Sequence, residues 1–174
     1  MRGGQPYYYP VGFYGIGLQV KNFNENTCIA YYGVNISNLP SILRDGFKLP
    51  SELRGGNSST IQLNLTIFDV QNYSNAIFLS PSINYASLFG TQYNSSYFKI
   101  PRNKILITVL KCRVKPNSYT VHPNTTLYDA NDPYYNNDNI EWRIANPKDI
   151  FPCRVLIKIV SIEEFQKKKK KKKK

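Results

Sequence analysis

A chain of 174 residues, 41% of them apolar, is long enough for one domain with a real core. Domains of about 150 residues bury roughly 70% of the surface that their unfolded chains expose. The formal charge is +12, but Lys167 to Lys174 is an unbroken run of eight lysines, and removing it leaves +4. The basic balance alone is therefore no signature of nucleic-acid binding. Three cysteines without a CxxC pair and a single histidine exclude the usual zinc sites, and no metal is expected. No apolar stretch reaches the length of a membrane span.

Along the chain, residues 1–9 are rich in Gly, Pro and Tyr and read as a flexible N-terminus. Val11 to Val20 is apolar enough for a strand, weakened by three glycines. Cys28 to Tyr32 is a short β-type run ending at Gly33. A helix follows, capped by Ser37 or Asn38, with Pro40 in its first turn, an apolar stripe of Leu39, Ile42 and Leu43, and Gly46 as its stop. Lys48 to Ser59 is loop-like. Ile61 to Ile67 alternates cleanly and is expected to be a strand, as is Ala76 to Leu79. Ser80-Pro81 opens a second helix with Ile83, Ala86 and Phe89 on one face and Gly90 at its end. Ile105 to Val114 is the longest apolar run and reads as the central strand.

Ser118 to Val121 is expected to be a further short strand, followed by a polar loop from Pro123 to Asp138. Arg154 to Ser161 closes the domain as a core strand. Strands dominate, the helices are short, and no repeat is visible, so the fold class is α+β rather than a regular βαβ alternation. The organisation expected is a flexible segment at 1–9, one domain at 10–162, and a disordered Lys-rich tail at 163–174. The lysine run reads as a poly(A) tract translated past the true end of the message. A phosphate-binding tail and an import or solubility tag are the alternatives. The odd cysteine count and the lack of a legible secretory leader lead us to expect a cytoplasmic or nuclear protein. Six Asn-X-Ser/Thr sequons are then read as chance in an Asn- and Ser-rich chain.

Asn139-Ile140-Glu141-Trp142-Arg143-Ile144 carries the most chemistry. Its period-2 alternation predicts a half-buried strand with Ile140, Trp142 and Ile144 toward the core and Glu141 on the opposite side. Only 11 residues are acidic, and the other ten fall in loops, helix ends or termini. A carboxylate held rigidly on a strand can stabilise a charged transition state. The alternative is a half-exposed strand on which Glu141 pairs with a neighbouring lysine.

Three segments stand in a recognisable order: Tyr32-Gly33-Val34 followed by a helix ending at Gly46, Ala76-Ile77-Phe78-Leu79-Ser80-Pro81-Ser82 leading into a helix with Tyr85, and Ile140-Glu141-Trp142. The set resembles the ADP-ribosyltransferase fold of the poly(ADP-ribose) polymerase class. It is most similar to a divergent branch reading Tyr-His-Gly-Thr, Ser-Pro-Ser-Ile and Ile-Glu-Trp. Lys115-Pro116-Asn117-Ser118-Tyr119 and Pro10-Val11-Gly12-Phe13 match two further segments of that branch, so the resemblance spans Pro10 to Ile162.

The resemblance implies a split β-sheet with two short helices and NAD as the substrate bound between the half-sheets. It implies Gly33 as the backbone clasp on the nicotinamide amide and Glu141 as the catalytic carboxylate. Tyr32, Val34, Phe78 and Tyr85 are the remaining candidate NAD contacts. Tyr32 stands in place of the family's His, Val34 in place of Ser/Thr, Ala76 in place of Gly, and Phe78 in place of the stacking Tyr, for which Tyr85 is an alternative ring. His122 is expected in a loop beside Pro123 and so is no substitute for the missing His. The activity implied is mono-ADP-ribosyl transfer from NAD to a protein or other acceptor. The alternative is a catalytically inactive relative that binds a partner in the same cleft. Nucleic-acid binding rests on the lysine tail alone, and no membrane association is expected.

Overall fold

In the computed structural model, residues 1–20, 26–52, 75–93, 99–126 and 132–165 are described. The expected strand at 61–67 and the lysine run lie outside them. Lys104–Val114, the long apolar run, forms β5, an inner strand of a sheet ordered β1-β8-β5-β2, where β1 is Tyr14–Gly17, β2 Cys28–Gly33 and β8 Ile150–Ser161. Thr91–Gln92 (β4) pairs with β5 beyond the end of β2. A second sheet is ordered β3-β7-β6, from Ile77–Leu79, Glu141–Ile144 and Thr120–His122. Every strand pairing among the described residues is antiparallel. The protein is thus a mixed α+β domain of mostly antiparallel sheets with few helices.

The two sheets join at one point. Tyr31 and Ser80 exchange both backbone hydrogen bonds, at 2.7 and 2.9 Å. Strand periodicity then sorts the side chains into two layers. Ala30, Val34, Leu110 and Cys112 of the large sheet share one apolar layer with Leu79, Trp142 and Ile144 of the small one. Helix α1, Leu39–Asp45, covers that layer with Leu39 and Ile42. Leu43, expected in the same stripe, is exposed, because a seven-residue helix presents only two such positions to the sheet. Tyr31, Ile105, Ile107, Val109 and Leu156 face the other way, against Ala86 and Ile83 of helix α2, Ile83–Phe89. Residues 105–110 of β5 are all buried because both of its faces are covered there.

The helix boundaries follow local chemistry. Ser82 caps α2 by accepting from the Tyr85 N–H at 3.0 Å. Gly46 ends α1 at φ +79° and donates to Ile42. Gly90 ends α2 for a different reason: a Cβ there would lie 2.0 Å from the Thr108 carbonyl oxygen. Phe89, expected on the buried stripe of α2, is 39% exposed. Of the expected first strand only Tyr14–Gly17 pairs, and all four residues are exposed at the sheet edge.

Candidate active site

Glu141 opens β7 and is only 2% exposed. The half-exposed pairing with a lysine is therefore not what the structure shows. Trp142 and Ile144 enter the apolar layer, while Ile140 sits just before the strand, after a turn at Asn137–Asn139, and packs with Tyr85 instead. Alternation sends the Glu141 carboxylate to the α2 side. There the Tyr85 hydroxyl donates to Oε1, and Thr125 donates to the same oxygen from Oγ1 at 2.6 Å and from its backbone N–H at 3.3 Å. Oε2 is buried, with no hydrogen-bond partner among the described residues.

The shell around this carboxylate is polar and ordered. The Tyr85 hydroxyl also lies 2.9 Å from Asn124 Oδ1, which accepts from Thr126. Burial, then the hydrogen bond to Glu141 and its charge, push the Tyr85 phenol far above its ordinary range. It therefore stays a donor at every physiological pH. Asp132 accepts from the Ser82 hydroxyl at 2.5 Å and from Asn84 at 3.2 Å, which ties the start of α2 to the loop after β6. Tyr134 of that loop stacks on Tyr8 at 3.9 Å, and the Tyr135 hydroxyl donates to the Pro6 carbonyl.

Gly33 reaches this face through its backbone. Tyr31 turns its N–H and C=O toward Ser80, so those of Gly33, two residues on, point to the same edge of β2, beyond the last bond between the sheets. Its missing side chain is a packing requirement as well: a Cβ would sit 1.9 Å from the Ala86 carbonyl oxygen. Phe78 alternates with Leu79 and so faces the Glu141 side of β3, across from Arg143.

Tyr32 and Val34 are placed differently. Both point into the apolar layer, where the Tyr32 ring meets Phe47 edge-on at 5.0 Å and Val34 is 2% exposed. Burial raises the Tyr32 phenol above its ordinary range. The structure thus brings Glu141, Tyr85, Phe78 and the Gly33 backbone to one face and sends Tyr32 and Val34 to the other. Thr125, Asn124 and Asp132 were invisible to sequence reasoning, since nothing in a polar Asn- and Asp-rich loop marks which side chain will meet a distant partner, whereas Ser82 stood in the second motif without an assigned role. His122 corrects an expectation. It is the last residue of β6 rather than part of a loop, and it stands directly across from Glu141 in register. Its Nε2 lies 2.7 Å from the Thr120 hydroxyl.

No protein-family model and no curated protein sequence matches the chain. Among the described residues no cluster of three metal-ligating side chains occurs, and no helix is long and apolar enough to cross a membrane.

Proposed function

We propose that this domain is a divergent mono-ADP-ribosyltransferase whose NAD-glycosyl chemistry centres on Glu141. One observation carries the reading. A buried strand carboxylate has Oε1 held by two side chains and Oε2 left without a partner among the described residues. Buried polar atoms are nearly always bonded, so an orphaned carboxylate oxygen is an unmet acceptor suited to a ligand hydroxyl. The split between the two sheets at Tyr31–Ser80 and the ordered motifs around Gly33, Ser80–Ser82 and Glu141 support the same family.

NAD would supply the reactive bond, from ribose C1′ to the pyridinium nitrogen, which breaks with its electron pair leaving on nicotinamide. Tyr85 and Thr125 fix the carboxylate in one orientation. Glu141 Oε2 accepts from a ribose hydroxyl and stabilises the positive charge that develops on the sugar. The Gly33 backbone edge suits the nicotinamide amide, and Phe78 offers an aromatic face on the same side. An acceptor nucleophile then forms the new bond at C1′ and releases its proton to solvent. Nicotinamide release from NAD tests the reading, with Glu141→Gln expected to fall by about 10²–10⁴-fold.

A second reading is a catalytically silent relative. It is favoured by one observation: Tyr32, in the position of the family's ribose-binding His, is turned into the apolar layer. No nicotinamide release by the native protein, with no thermal shift on adding NAD, would establish it.

A further inference from the structure

Glu141 is shut away in this structure. It is 2% exposed and its Oε2 is buried, so a ligand can reach it only after the cover on that side has moved. Part of that cover depends on the segment 5–9, which runs across the large sheet on the α2 side. Tyr7 packs against the layer that holds Tyr31, Val109 and Leu156, and its hydroxyl accepts from the Lys111 ammonium at 2.7 Å. The Tyr31 hydroxyl donates to the Tyr8 carbonyl at 3.3 Å. These contacts fix one side of the segment.

The other side meets the loop at 132–135. The Tyr135 hydroxyl donates to the Pro6 carbonyl at 3.0 Å, and the Tyr8 ring stacks on Tyr134 at 3.9 Å and meets Tyr135 edge-on at 5.5 Å. Tyr135 in turn packs against Tyr85 and Ile140, and Tyr85 is the donor to Glu141 Oε1. The segment thus links Lys111 to the wall around the carboxylate. Its hold is light. Among the described residues the backbone of 6–10 bonds to no other backbone, and the Pro6 and Tyr8 carbonyls each accept from one phenol. Tyr8 is 41% exposed and Tyr9 68%. Segments with few buried apolar contacts and accessible hydrogen bonds open locally while the rest of the fold stays intact.

We propose that residues 5–9 are an autoinhibitory strap: docked on Lys111 and Tyr31 on one side and on Tyr134 and Tyr135 on the other, they hold the loop at 132–135 against Tyr85 and bar access to Glu141. Release of the strap lets Tyr135 leave Tyr85 and opens a path to Oε2. Asp132, bonded to Ser82 and Asn84, is the fixed end on which the loop turns. The apolar layer on the far side of the sheets is untouched by this motion. The regulation rests on the function proposed above for the reaction that it restrains, whereas access to Glu141 is a property of the fold and is measured without that reaction.

Carbodiimide labelling of carboxylates in the full chain, read by mass spectrometry, measures that access. In the native protein Glu141 is expected to label at least about tenfold more slowly than the exposed Glu52. Tyr7→Ala/Tyr8→Ala removes a hydrogen bond and an aromatic stack from the strap and is expected to speed Glu141 labelling at least about tenfold, with Glu52 unchanged. Tyr9→Ala, exposed on the same segment, keeps the native rate. Thiol labelling of Cys112, buried in the apolar layer, separates opening from unfolding and stays as slow as in the native protein. Nicotinamide release is expected to rise at least about threefold in the double variant. Glu141 labelling that is already fast in the native protein, that does not rise in the double variant, or that rises only together with Cys112, would overturn the strap. Faster Glu141 labelling with no nicotinamide release by either protein would keep the strap as the cover over Glu141 and overturn the proposed reaction. Native release that does not increase in the opened variant would overturn the autoinhibition.

Discussion

Around the small sheet the two faces were assembled by opposite rules. The layer holding Ala30, Val34, Leu110, Trp142 and Ile144 is apolar and tightly packed, with Tyr119 stacked on Trp142 at 4.1 Å. The face across from it contains a buried carboxylate, a tyrosine hydroxyl, two donors of Thr125 and an oxygen unmet among the described residues. Neighbouring residues on one strand therefore have opposite duties: Trp142 supports stability and Glu141 chemistry, and Tyr32 packs while the backbone of Gly33 faces the seam. A position beside a functional residue is not itself functional when the strand alternates.

Substitutions can break or sharpen that contrast. The largest stability effect is expected from Trp142→Ala, which empties the apolar layer and removes the ring that Tyr119 stacks on; it should cost about 3–5 kcal/mol in denaturant unfolding. Gly33→Ala pushes a methyl into the Ala86 carbonyl and forces α2 from the sheet, at a cost of about 1–3 kcal/mol. Because α2 carries Tyr85, this variant should also slow nicotinamide release, which links the two faces through one glycine.

Alkali tests both faces together. Tyr31 and Tyr85 on the polar face and Tyr32 in the apolar layer all have phenols raised by burial, and Tyr135 is pushed up to about 12. The unfolded chain loses its tyrosine protons near pH 10, as free tyrosine does, while the folded chain keeps them. The unfolded state then binds fewer protons, so stability is fully present below about pH 10 and declines as pH rises above it. Melting temperatures measured from pH 8 to 11 should be flat and then fall, and Tyr85→Phe should make the fall shallower. The smallest effect belongs to Tyr32→Phe. Its ring keeps the edge-on contact with Phe47, and the change in unfolding free energy should stay below about 1 kcal/mol.

Much of the scaffold was legible because periodicity and punctuation are local. The runs at Cys28–Gly33 and Ile105–Val114, the Ser80-Pro81 opening of α2 and the glycine stops all read directly from neighbouring residues. The partners of Glu141 were not legible. Thr125 lies 16 residues away and Tyr85 lies 56 residues away, and the pairing of β7 with β3 and β6 brings the segments that carry them to Glu141. His122 was misplaced because Pro123 and the polar run after it hide the end of a three-residue strand. The face taken by Tyr32 depends on register with β5 and on where α1 packs, neither of which a motif of three residues specifies.

The most direct test places the two faces side by side in one assay: nicotinamide release from NAD by the native protein, Glu141→Gln and Tyr32→Phe. The account predicts release that falls at least about a hundredfold in Glu141→Gln and stays within about twofold of native in Tyr32→Phe. Equal rates in the native protein and Glu141→Gln, or a loss in Tyr32→Phe as large as that in Glu141→Gln, would contradict it.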